Sequence, residues 1–388
     1  MSFVFWIFIF LILYVYLGYT LLLLLLRFLK RLFLKKAFFY SNSFEPDVTI
    51  VIAAYNEKAL VDEKVRNLRA LNYPKEKLKF LWVTDGSNDG SPELLQTYSD
   101  MTVLHEDARN GKIGALHRAM KQVNTSLVIF CDANNFLSPQ TIQSIVNLFA
   151  EPDVGCVAGE KRIEKLIKDK AVGAGEGFYW HYESLIKRLE SKVNSTVGAA
   201  GEIFAIRSKL FEEVEADTLL DDFVISLRIA QKGYKIKYAP QAIAVETSSA
   251  SIDDELKRKI RIAAGCMQTI PRLLPLLNPF QYGFFSIQYW SHKVLRWTLV
   301  PFAMMVLLPL NFYLVWQEQQ SVYVVFLYLQ LVFYFFAASG WLLRKNSVKL
   351  KWLFLPYYLV VMNYALVLGF FRYLKGKQSV NWEKAKRQ

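Results

Sequence analysis

The sequence predicts an α/β domain, built on a mixed and mostly parallel sheet, flanked by helices that span a membrane. Two observations predict the helices. Residues 3–26 contain no charged side chain, and three more apolar runs occupy 298–316, 322–343 and 352–371. A third predicts the domain. Between residues 45 and 265, apolar runs of five to seven residues recur between helical patterns, as in successive βαβ units.

The first run is long enough to cross about 30 Å of hydrocarbon at about 1.5 Å per residue. A cleaved signal peptide would place basic residues before a shorter apolar core and small residues after it. Here the charges follow the run: RFLKRLFLKK carries Arg27, Lys30, Arg31, Lys35 and Lys36. Basic flanks favour the cytoplasmic side, so the N-terminus is expected outside and the following domain inside. This sets the first boundaries: 1–36 for the helix and its basic collar, 37–269 for the domain.

Within the domain, VTIVIAAY (48–55) reads as a buried strand, followed by a helix to about Leu71. LKFLWVTDGS (78–87), TVLHE (102–106), SLVIFCDANN (126–135), VGCVAGEKRI (154–163) and KIKYAPQAIAVET (235–247) read as further strands. FVISLRIAQKG reads as an amphipathic helix ending at Gly233. Residues 270–297 contain Pro271, Pro275 and Pro279, and set Tyr289, Trp290 and Trp297 among His292, Lys293 and Arg296. They read as a segment lying in the membrane interface, or as a loop entering the next helix.

Residues 298–388 then hold three membrane segments and a basic tail. The connection QEQQS (317–321) has no Lys or Arg and reads as external; RKNSVKLK (344–351) reads as cytoplasmic. At the last segment the two criteria conflict. Four crossings put the basic tail outside, whereas its charge puts it inside; a re-entrant or interfacial 352–371 would reconcile them.

The strand ends carry the chemistry. Ligands of open parallel sheets bind beyond the carboxyl ends of the strands. Those ends here are Tyr55-Asn56-Glu57, Asp85-Gly86-Ser87 and Asp132-Ala133-Asn134. Three strands delivering polar residues to one rim imply one shared site. Neither GxGxxG nor GxxxxGK[ST] is present to support a dinucleotide fold or a P-loop.

Six segments, in order, resemble the processive-type family 2 glycosyltransferases, which include cellulose, chitin and hyaluronan synthases. They are IVIAAYNE (50–57), YPKEKLKFLWVTDGSNDGS (73–91), GKIGAL (111–116), CDANN (131–135), LLDDFVISLRIAQKGYKIKYAP (219–240) and KRKIRIAAG (257–265). The resemblance covers roughly residues 45–265 and implies the Rossmann-like GT-A fold. It also implies a nucleotide-sugar donor, a glycan or lipid-linked acceptor and a divalent cation, Mg²⁺ or Mn²⁺.

The resemblance assigns residues as follows. Ala54, Glu57, Asp85 and Lys112 are expected at the nucleotide. A carboxylate such as Asp85 can accept hydrogen bonds from base or ribose, although DGSNDGS is also typical turn composition. Lys112 follows Gly111 at a predicted helix start, where backbone N–H groups favour an anion; a solvated lysine is the plainer alternative. Asp132 is expected to hold the cation through hard oxygen ligation. The family's second Asp is Asn134 here, which can ligate without contributing charge. Asp222 is expected as the base that takes the acceptor's proton, with Asp221 in place of the family's Glu; helix capping is the competing role. Arg261 is expected to contact the diphosphate.

Two further departures concern the acceptor. Arg258 replaces the Gln of QxxRW, and Ile262 replaces its Trp. Loss of that aromatic puts processive synthesis in doubt, unless Phe178, Tyr179 or Trp180 takes the role. Gly198 and Gly201, in VGAAGEIFAIR (197–207), are expected to let an acceptor approach the backbone; a tight turn is the simpler use.

Composition bounds the rest. The chain carries 47 Lys plus Arg against 34 Asp plus Glu, yet is 53% hydrophobic, which excludes disorder. Its three cysteines form no CxxC pair and predict no disulfide framework. Residues 27–36 hold five basic side chains and no acidic one, and 344–388 hold ten and one. The entire excess of +13 is therefore juxtamembrane, where it faces anionic lipid, and nucleic-acid binding is not expected. Membrane lipids and further subunits of a synthase complex are the other expected partners. A donor-binding subunit without catalysis is the alternative class.

Overall fold

The computed structural model describes residues 1–33, 44–164, 172–247, 252–343 and 351–376. Lys35 and Lys36, most of the basic connection 344–351, the tail beyond 376 and the side chain of Phe178 lie outside the described residues.

The domain is an eight-stranded sheet in the order β3-β2-β1-β4-β7-β6-β8-β5. Its strands are β1 (Val48–Ala54), β2 (Leu78–Asp85), β3 (Met101–Glu106), β4 (Leu127–Asp132), β5 (Phe136–Leu137), β6 (Val154–Glu164), β7 (Ile203–Arg207) and β8 (Lys235–Thr247). β3, β2, β1 and β4 run parallel, β7 runs antiparallel between β4 and β6, and β6 pairs parallel with β8. The mixed, mostly parallel sheet matches the expected class. The sequence reading missed β5 and β7. Ile203–Arg207 follows directly on the Gly198–Gly201 cluster, which masks a five-residue strand.

The parallel half is buried on both faces, as such sheets require. Along β1, Val51 and Ala53 enter one core and Ile50, Ile52 and Ala54 the other; Val128 and Phe130 of β4 split from Ile129 and Cys131 in the same way. Helix α2 (Lys58–Arg69) supplies Val61, Val65 and Leu68 to the second core. A short helix, α3 (Ser91–Gln96), follows β2. Helix α4 (Gly111–Met120) supplies Ile113, Leu116 and Ala119 to the first core. Helix α5 (Thr141–Val146) packs on the second face.

Three more helices complete the domain: α6 (Val172–Val193), α7 (Asp221–Gln231) and α8 (Ile252–Arg272). After α8 the chain turns at Leu274–Leu277 and Pro279–Tyr282 into α9 (Phe284–Tyr289) and continues helically through Trp297. This stretch has two sides. Leu276, Phe285, Tyr289 and Val294 join the first core, while Leu274, Phe280, Ile287 and Trp290 are exposed.

Four helices are long and apolar enough to cross a membrane: Ser2–Phe33, Leu299–Glu318, Ser321–Leu342 and Phe354–Leu374. The N-terminal helix packs through Phe5 against Tyr323 and Phe326, and its lower half packs through Tyr19 and Leu23 on Ile186 and Leu189 of α6. Its Lys30 donates to the carbonyls of Lys192 and Val193, satisfying the C-terminal end of α6. The last apolar run, for which a re-entrant or interfacial path is the alternative to a fourth crossing, lies in a continuous helix, Lys351–Leu374. That helix is pressed onto α8: a Cβ placed on Gly369 would stand 2.4 Å from Cβ of Ala263.

Candidate active site

The site begins at the carboxyl ends of β1 and β2. Asn56, at φ 54°, turns the chain out of β1. Its side chain pairs with Asn88, donating to Oδ1 and accepting from the backbone N–H, and its own N–H donates to Ser87 Oγ. Asp89 accepts from the Lys58 N–H at the start of α2. The DGSNDGS stretch is thus a turn that locks two strand ends together. Gly86 takes φ +69°, and a Cβ there would lie 2.9 Å from Cβ of Arg109, so the turn needs glycine.

Beside this turn is a cleft lined by Ala53, Ala54, Tyr55, Asp85, Arg109, Gly111, Lys112 and Ala115. It unites three residues expected at the nucleotide: Ala54, Asp85 and Lys112. Glu57 is not among the lining residues; it stands half-buried at the N-cap of α2. Tyr55 and Arg109 were not assigned to the site, yet they form its wall, with the guanidinium 3.8 Å from the ring centroid.

Asp85 has an unexpected partner. Its carboxylate accepts from the N–H of Gly111 at 2.7 Å, the N–H of Asn110 at 3.2 Å and Arg118 at 3.1 Å. The protein itself supplies the anion at the N-terminus of α4.

Deeper in, β4 delivers Asp132 and α7 delivers Asp221 and Asp222. Lys112 lies among them, its Nζ 2.8 Å from Asp132 Oδ1 and 3.5 Å from Asp221 Oδ2. A Cβ on Gly201 would lie 3.4 Å from both Lys112 Nζ and Asp222 Oδ2, so Gly201 borders the same cluster. Burial pushes Asp222 up to about 7, and the neighbouring Asp221 adds to it. Burial also raises Asp132, although Lys112 opposes it. Burial would depress Lys112, but Asp132, Asp221 and Asp222 outweigh it and hold the ammonium above its ordinary range.

The other assigned residues go elsewhere. The Asn134 amide donates to Glu246 Oε1 at 3.3 Å. Glu246 is paired with Lys161, which lies 2.5 Å from Glu202. Lys161 and Lys259 stand 5.3 Å and 5.7 Å from the Trp180 ring centroid, placing that tryptophan between β6 and α8. Arg258 makes two 3.0 Å hydrogen bonds to Glu255. Arg261 is half-buried one turn further along α8. Gly198 takes φ +83°, and a Cβ on it would strike the Phe223 ring at 2.3 Å. Lys64, fully buried in α2, donates to Cys131 and to the Asn135 carbonyl, fixing the turn after β4.

Residues 49–215 match the model of Glycosyl transferase family 2. The chain carries a family 2 glycosyltransferase domain. The poly-beta-1,6-N-acetyl-D-glucosamine synthase of Staphylococcus aureus (strain COL) is 25% identical over 251 residues, 60% of each chain. The matched part thus spans under two thirds of that curated relative. The mannosyltransferase PcManGT from Pyrobaculum calidifontis, solved with GDP-Man and Mn2+, superposes with a TM-score of 0.67 at 23% identity. That match covers 97% of this chain and 100% of the other, so the GT-A fold and its helical flanks are shared.

Among the described residues, no three or more His, Cys, Asp or Glu side chains form a ready metal cage. The site does have oxygen donors to offer. Asp132 Oδ1 and Asp221 Oδ2 are buried and lie 2.8 Å and 3.5 Å from the Lys112 ammonium. Two buried carboxylate oxygens fit a hard divalent cation that draws its remaining ligands from substrate. Glu202, Glu246 and Lys161 escaped the sequence reading because no local motif surrounds them.

Proposed function

We propose that this glycosyltransferase is membrane-bound and inverting, and moves a sugar from a nucleotide sugar, a UDP-sugar, to a growing polysaccharide or glycan at the cytoplasmic face. One observation carries the reading: Asp132, Asp221 and Asp222 converge on Lys112 beside the cleft at the ends of β1 and β2. The cleft takes the nucleoside, with Tyr55 and Arg109 as its wall and Ala53 and Ala54 as its floor. Asp132, with Asp221 beside it and the carbonyl oxygen of the Asn134 side chain two residues on, would hold Mg²⁺ or Mn²⁺. The cation supplies Lewis acidity that neutralises the leaving diphosphate. Asp222 accepts the acceptor hydroxyl's proton as that oxygen bonds to the anomeric carbon. The bond from that carbon to the diphosphate breaks on the opposite face, which inverts the configuration. Arg261 meets the diphosphate from α8.

A second reading is single-sugar transfer onto a lipid carrier or glycolipid. It is favoured by Ile262 in place of an aromatic and by the full-length likeness to a mannosyltransferase. The relative that makes poly-beta-1,6-N-acetyl-D-glucosamine favours a polymer. The four long apolar helices and the exposed apolar side of 274–290 suit either product at a membrane.

A donor screen in membranes carrying the protein decides among these. UDP- and GDP-sugars are supplied with and without Mg²⁺ or Mn²⁺, and released nucleotide and product size are read together. A ladder supports polymer synthesis and a single addition supports the second reading. No turnover of any donor, with binding intact, leaves a donor-binding subunit.

A further inference from the structure

The residue at the centre of the carboxylate cluster is itself a cation. Lys112 Nζ stands 2.8 Å from Asp132 and 3.5 Å from Asp221, and all three side chains are at most 20% exposed. Buried carboxylates need a counter-charge, and here the chain supplies it internally. A dication bound to Asp132 would want the oxygen the ammonium faces. Two like charges cannot share it at low cost.

The same lysine also lines the cleft. It springs from the first turn of α4, next to Gly111, whose N–H is already taken by Asp85, as is that of Asn110. An incoming diphosphate therefore finds those two amides occupied, and the Lys112 ammonium is the cation that the first turn of α4 presents to it. Gly201 keeps the space beside Nζ clear: even a methyl group would sit 3.4 Å away.

We infer that Lys112 is a resident counter-ion of the cation site: it competes with the divalent cation for Asp132, and a nucleotide diphosphate relieves the competition by drawing the ammonium away. The inference rests on the nucleotide-sugar reading above and adds an order of events to it. Cation and nucleotide bind synergistically, and by linkage each tightens the other equally. In the ligand-free enzyme Lys112 offsets part of the carboxylate charge and occupies the face of Asp132, so free cation is taken up poorly.

The test is Mn²⁺ binding to the full chain in detergent, read from the electron paramagnetic resonance signal of free Mn²⁺, with and without UDP or GDP. Wild type should bind Mn²⁺ weakly alone and about tenfold more tightly with nucleotide, within the usual range of such couplings. K112M and K112Q should bind Mn²⁺ alone about tenfold more tightly than wild type and lose most of the nucleotide-induced gain. Mn²⁺ should also raise the melting temperature of K112M more than that of wild type, because the variant's carboxylates lack their counter-charge. D132N should abolish the tight binding in K112M. The proposal is overturned if both lysine variants bind Mn²⁺ no more tightly than wild type, or if D132N leaves binding unchanged. The cation-alone comparison needs no nucleotide. It decides this inference even where the donor screen fails, and a failed screen with competition intact overturns only the nucleotide-sugar reading.

Discussion

Asp222 shows what one position owes to its surroundings. Burial and the adjacent Asp221 push its carboxyl up to about 7, so it takes and gives protons near neutral pH. A base must be ionised to act. Donor turnover is therefore expected to rise with pH through about 7, and to fall as the carboxyl protonates below it. Asp222→Asn should lower transfer by about 10²–10⁴-fold and remove that pH limb, while donor binding persists. A flat profile across neutrality in the wild type would reject Asp222 as the base. At this scale the sequence was informative about identity and less so about company. The two aspartates, Asp132 and Lys112 were each legible from segments that resemble a family. Their convergence was not, because it joins positions separated by 20 and 89 residues along the chain. Asn134 shows the limit: its motif points to a ligand, yet its amide also reaches Glu246, 112 residues away.

Among the elements, the parallel strands were legible because each is a short apolar run with both faces buried. β7 was not, because its antiparallel partners, β4 and β6, are distant in sequence. The turn before it also has a plainer purpose than acceptor contact. Gly198 needs φ +83° and lies against the Phe223 ring, which is one residue beyond Asp222. Gly198→Ala should add strain and overpacking of about 1–3 kcal/mol and displace the start of α7. We expect transfer to fall by about 10²-fold, as for a misplacement near 1 Å, while donor binding changes little. Single-turnover rates and donor titration on the same preparation check this. Equal losses in both would mean that the glycine supports the whole fold and not the placement of Asp222.

At the scale of the whole molecule, polar contacts add to the apolar packing where the domain meets the long apolar helices. Glu183 of α6 accepts from Lys293 at 2.5 Å and Arg296 at 3.0 Å, and His292 lies 3.0 Å from Glu190. Tyr19 of the N-terminal helix donates to Glu190 at 2.6 Å. Burial alone would raise Glu183, but Lys293, His292 and Arg296 hold it well below the usual carboxylate range. Glu183→Gln would leave buried cations without their partner, at a cost of about 3–5 kcal/mol. The expected result is a lowered melting temperature in detergent, with exposed Glu76→Gln as the control that changes little. The aromatic and basic residues of 270–297 read as an interfacial segment or a loop; that His292, Lys293 and Arg296 key into α6 was invisible, since both glutamates sit in an unremarkable helix. The contact between Gly369 and Ala263 carries one more consequence. With only the Ala263 methyl between them, the helix Lys351–Leu374 has little slack against α8, which bears Arg258 and Arg261. A bilayer thicker or thinner than that helix prefers makes it tilt. A tilt of that helix would therefore move α8 with it: activity is expected to peak at one lipid length in reconstituted vesicles, and Gly369→Leu to flatten the peak.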